Sequence, residues 1–161
     1  VTDGLQDMAL SFEKETDTIM NDKPRSTKES LFEKELIKQT LISGAFIGLL
    51  VFAVWFVLIN VMNMEVAHAR GYVLALMVFI QNIHVFNCRS EKQSAFSIPI
   101  KSNKLIFIAF ASSIILQIIV MEVPILSTFL QTVSIPFVHL IYLFLTATII
   151  LIAMEIYKKF K

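Results

Sequence analysis

TLISGAFIGLLVFAVWFVLINVM, residues 40–62, decides the fold, because none of its 23 positions carries a charge. An α-helix rises about 1.5 Å per residue, so roughly 20 apolar residues cross the ~30 Å hydrocarbon core of a bilayer. Working outward, residues 105–121 and 135–154 are further uncharged runs, and residues 71–88 form another that polar side chains interrupt. Helices are the expected form, since every backbone polar group in lipid must be satisfied internally. The hydrophobic share of 56% exceeds the roughly 45–50% of soluble domains. The expected fold class is all-α integral membrane: four transmembrane helices plus a short N-terminal half-helix.

Net charge is only +1, but its placement is informative. Thirteen of the 14 Lys and Arg residues fall in three places: 14–38, 89–104 and the tail Lys158, Lys159 and Lys161. With four crossings these places share one side, which the positive-inside rule makes cytoplasmic. Both ends are then expected in the cytoplasm, with residues 63–70 and 122–134 external. The lone cysteine, Cys88, excludes an intrachain disulfide. The first residues lack the basic and continuous apolar regions of a signal peptide. No nucleic-acid motif or interleaved basic–aromatic patch is present.

The chain divides into residues 1–12, too short to span; 13–30, a charged loop containing Pro24; and 31–161, the four-helix domain. Ser30 and Glu33 have the spacing of a capping box, so the first full helix is expected to start near Leu31. The second is expected to start near Ala67, and the last to run from Pro136 to Tyr157. Residues 122–134 read as an apolar-tinged loop lying against the membrane interface.

Gly44 and Gly48 form G-x-x-x-G, a spacing that lets another helix backbone approach closely. In the second crossing Gln81, His84 and Cys88 share one face, and Asn82 and Asn87 point elsewhere. Polar groups there either mark an ion path or act as interhelical glue. Ser112, Ser113 and Gln117 read as glue, and Glu155 as a partner for Lys158 or Lys159. No Ser-His-Asp set, paired intramembrane carboxylates or phosphate loop is seen, so no catalytic residue is assigned. Thr2 and Asp3, ahead of the helix-weakening Gly4, supply hard oxygen ligands of the kind Ca²⁺ prefers. Read from the residues alone, they fit a broken-helix ion site or a frayed terminus equally well.

VTDG followed by L-x-x-x-AL resembles the second half of the sixth transmembrane helix of P-type cation-transporting ATPases of the calcium-pump type. Lys23-Pro24-Arg25 through Glu29-Ser30-Leu31-Phe32 is similar to their next loop. QNIHVFNCRSEKQSAF (81–96) resembles the eighth helix and loop of the bacterial members. Pro99, Asn103, Gln117, Pro124, Phe129, Glu155 and Lys158 also fit, so the resemblance covers essentially the whole chain.

The resemblance implies that residues 1–12 end helix six and the remainder supplies helices seven to ten. It makes Asp3 and Thr2 cation ligands, and places Gln81 where two-site calcium pumps carry glutamate, which puts calcium specificity in doubt. The transported cation it implies is Ca²⁺. ATP and Mg²⁺ would act only in the intact parent, which would couple hydrolysis through an aspartyl-phosphate to transport across the cell membrane. The Gly44/Gly48 face would pack on helix five. The partners are then the lipid bilayer and the remaining pump domains, with self-association of the isolated chain through its glycines. The expectation is a piece of a pump, inactive alone. A different class, a free-standing four-helix protein that binds other membrane proteins through that face, is the second expectation.

Overall fold

The computed structural model describes residues 2–13, 34–90, 93–99, 102–130 and 132–160, and for Thr2, Asp3 and Glu35 the backbone alone. The loop expected over 13–30, Glu13 excepted, and the Ser30–Glu33 capping box lie outside the described residues. So do Leu31 and the start of the first full helix.

The described residues form helices with no strand: α1 (Thr2–Ser11), α2 (Lys34–Phe56), α3 (Val66–Cys88), α4 (Lys104–Glu122), α5 (Pro124–Leu130) and α6 (Phe137–Lys159). Four are long and apolar enough to cross a membrane: α2 with its extension to Val61, α3, α4 and α6. The expected boundaries of α3 and α6 hold to within about two residues, the usual fraying of helix ends. The segment read as a loop over 122–134 contains α5, which opens on Pro124, a residue pre-set for a first helical turn.

The last turn of the first crossing is π-helical, over Val57–Val61. Asn60 Nδ2 donates to the Phe56 carbonyl at 3.1 Å, and the Met64 amide donates to Leu58 O at 2.9 Å. Asn63 adopts a left-handed backbone (φ 51°), which asparagine tolerates better than most residues, and the chain reverses into α3.

α3 is the central helix. In its apolar window 61% of residues are buried, against 11% in the first crossing. One flank packs on α6 and α2, where Leu76, Phe79, Ile80 and Ile83 meet Leu143, Ala147, Ile150 and Met154. The other flank packs on α1 and α4 through Ala9, Val85, Ile106 and Ala109. Phe79 and Phe110 both meet the Phe144 ring edge-on, with centroids 5.7 and 6.5 Å away. Lipid is as apolar as leucine, so close packing and interhelical hydrogen bonds, rather than water exclusion, hold these helices together.

Gly71 shows how close the packing is. A Cβ there would stand 2.6 Å from Val133 Cγ2, so only glycine lets the segment before α6 lie on α3. Gly44 and Gly48 are the opposite case, with nothing within 4 Å of an added Cβ. Their face of α2 is open within the described residues.

Candidate ion-site helix and its polar supports

Gln6 and Ala9 lie three apart on one side of α1, and Glu13 follows four residues later, just past the end of that helix. Val78, Asn82, Val85 and Arg89 make a similar stripe on α3. The structure lays the two stripes together. Gln6 Nε2 donates to Asn82 Oδ1 at 2.6 Å, and Arg89 meets Glu13. Both pairs lie seven residues apart on each chain segment, so α1 and α3 run parallel and in register. Ala9, between them, is small enough to let the backbones approach.

The upper pair continues into a relay of amides and a hydroxyl. Asn82 Nδ2 donates to its own helix at Val78 O and across to Ser113 Oγ on α4, each at 2.8 Å. Asn82 and Ser113 are wholly buried and Gln6 nearly so. Three helices thus share one buried polar chain. This is the glue expected of Ser113.

The lower pair is ionic. Arg89 Nη2 and Nε reach the two Glu13 oxygens at 2.7 and 3.1 Å, and Nη2 also donates to Pro99 O at 3.2 Å and to Ser102 Oγ. Asn103 joins the same group. Its Nδ2 donates to Ala9 O at 2.7 Å and to Glu13 at 3.1 Å, and its Oδ1 caps α4 by accepting from Leu105 N at 3.1 Å. Burial alone would raise the Glu13 pKa. Hydrogen bonds from Arg89, Asn103 and Ser102, with the Arg89 charge, outweigh that and hold the carboxyl below its usual range.

A second tie closes the same end of α3. Lys158 Nζ donates to the carbonyls of Asn87 and Gln93, each at 3.0 Å, so a lysine of α6 caps the C-terminus of α3. Glu155 lies 3.9 Å from Lys158, the pairing expected from sequence, but its shorter contact is the 2.8 Å bond it accepts from the Ala95 amide.

Asp3 and Thr2 fall in the first turn of α1, on backbone alone, so their ligand role lies outside the described side chains. Gln81 is half-buried on α3, beside Asn82. Given the parallel register, Asp3 is level with Phe79, so Gln81 lies about 3 Å further along the axis. The described residues bring no three His, Cys, Asp or Glu groups together. Sequence reading passed over Gln6, Glu13 and Arg89, although their spacings of three and four were visible. It did set Asn82 apart from the Gln81 face, and the structure turns that second face toward α1 and α4.

A short helix lying parallel to the central span and pinned by buried amides to four helices long and apolar enough to cross a membrane defines the class: the helical part of a membrane protein. Residues 1–160 match the family described as cation transporting ATPase, C-terminus, and the chain belongs to it. It is 35% identical over 135 residues to the calcium-transporting ATPase of Bacillus subtilis, covering 84% of this chain and 15% of that protein. To calcium-transporting ATPase 1 of Bacillus cereus it is 28% identical over 139 residues, 77% of this chain and 16% of the relative. Human calcium-transporting ATPase type 2C member 1 is 30% identical over 162 residues, 99% of this chain and 17% of that protein. The chain therefore spans about a sixth of the length of these curated relatives.

Proposed function

We propose that the chain is the C-terminal membrane domain of a P-type pump that moves Ca²⁺ across the cell membrane, with both ends of the chain in the cytoplasm. Asp3 is the ligating carboxylate, Thr2 its neighbour and Gln81 a neutral oxygen donor from α3. The observation that carries this is the parallel seating of α1 on α3, which brings the level of Asp3 within one turn of Gln81. The basic end, with Arg89, Lys104, Lys158 and Lys159, faces the cytoplasm under the positive-inside rule. ATP and Mg²⁺ act on other domains of the full-length pump. A midplane aspartate gains the cation from one side and releases it to the other.

One carboxylate and two neutral oxygens fall short of the 6–8 ligands Ca²⁺ takes, so further helices of the pump complete the site. Asp3→Asn in the full-length pump is expected to abolish calcium-dependent ATP hydrolysis. Retention of that activity overturns the assignment. Gly44 and Gly48 receive a helix of the same pump, and in the isolated chain they drive self-association in detergent. Gly44→Ile with Gly48→Ile leaves the chain folded and makes it monomeric. An unchanged oligomeric state would rule this out.

A further inference from the structure

The relay Gln6–Asn82–Ser113 does more than join helices. Asn82 uses both ends of its amide, accepting from α1 and donating to α4, while its Nδ2 also holds Val78 O on its own helix. A side chain committed at both ends in a buried setting has one rotamer and one partner geometry. Gln6 stands one turn after Asp3 on α1, and Asn82 directly follows Gln81 on α3. The relay therefore joins the two helices next to the two residues assigned as ligands. It lies apart from the ionic group around Glu13 and Arg89, seven residues further along each segment and just past the ends of both helices.

We propose that Gln6 and Asn82 are positioning residues for cation binding: the amide bond between them, anchored on Ser113, fixes the rotation of α1 and so the place of Asp3 relative to Gln81. This rests on the assignment of Asp3 and Gln81 above. The relay touches no cation. It sets how far apart the ligands stand before one arrives, and a pre-set ligand distance appears in affinity for the cation rather than in the maximal rate.

The test uses the full-length pump in membrane vesicles, with calcium as the probe. Three readings are compared: the calcium concentration for half-maximal ATP hydrolysis, the maximal rate, and the thermal midpoint. Gln6→Met leaves Asn82 Oδ1 unpaired, and Asn82→Leu leaves Gln6 and Ser113 unpaired, so both single variants lose thermal stability. Gln6→Met with Asn82→Leu leaves no amide stranded between the helices, only the Ser113 hydroxyl, and regains most of the midpoint. Its half-saturating calcium stays raised by roughly tenfold, the size of one coupling between contacting residues. The exchange Gln6→Asn with Asn82→Gln keeps an amide–amide bond of the same total length, and restores half-saturating calcium to within about threefold of the parent.

If the apolar double variant recovers affinity together with stability, the relay is packing glue and the proposal is overturned. An apolar pair and an exchanged pair of equal affinity overturn it as well. Asp3→Asn run beside them separates the two failures. If it leaves calcium-dependent hydrolysis intact, the ligand assignment itself is wrong. If it abolishes hydrolysis while the relay variants bind calcium like the parent, only the positioning role is wrong.

Discussion

Arg89→Ala removes one side chain and four contacts: two to Glu13, one to Pro99 O and one to Ser102. The Arg89 side chain is 2% exposed and that of Glu13 15% exposed, so this is an ion pair largely withdrawn from water. Removing one partner of such a pair costs about 3–5 kcal/mol, because a charge is left without compensation. Glu13 keeps its bond from Asn103 and some access to solvent, so the lower end applies, about 3 kcal/mol. Glu13→Gln keeps the shape and one acceptor and is expected to cost about 1–2 kcal/mol, the range of a bond to a charged group weakened to a neutral one. Reversible unfolding of the chain by SDS in mixed micelles gives both values and the double variant. The coupling between the sites is expected near 2 kcal/mol, within the range for residues in one network. A coupling under about 0.5 kcal/mol would place the pair with exposed ion pairs and refute the view that it fastens α1 to α3.

The same carboxyl gives a pH signature. Its folded pKa lies below the unfolded one, so its contribution is complete above the ordinary carboxylate range and is lost as pH falls through that range and below. Glu13→Gln should flatten that acid limb in the same SDS titration. Asn103→Ala removes the α4 cap and the bonds to Ala9 O and Glu13, an expected loss of about 1–3 kcal/mol by the same assay. Gly71→Ala should cost about 1–3 kcal/mol through overpacking on Val133, and Val133→Ala should recover most of it.

The spans were legible because charge-free length is a one-dimensional property: residues 40–62 announce a crossing whatever surrounds them. The register of α1 on α3 was not. It depends on two short stripes, Gln6–Ala9–Glu13 and Asn82–Val85–Arg89, that signify nothing until they are brought face to face. Helical-wheel reasoning separated Asn82 from Gln81 correctly, yet ranking the faces required knowing that α3 is the most buried of the four long helices. The π-helical turn at Val57–Val61 left no mark in a run of apolar residues. Glu155 shows a subtler gap: its lysine was foreseen from local spacing, but it also accepts a bond from the Ala95 amide, sixty residues away in sequence. Among the described residues nothing lies within 4 Å of a Cβ added at Gly44 or Gly48, so what covers that surface is a question the glycine spacing raised and these residues do not answer.

The two α1–α3 ties have a mechanical consequence. A rod fastened to another at two points can neither slide nor tilt against it; it can only turn about the line through the fasteners. Asn103 grips α1 at Ala9 O from outside that line, and removes the last freedom. From Gln6 to its end, just short of Glu13, α1 is held against α3 and α4 like a beam on three supports. Any stroke that displaces its first turn must bend the helix ahead of Gln6, where Gly4 is the weakest link, or carry the three helices together as one strut.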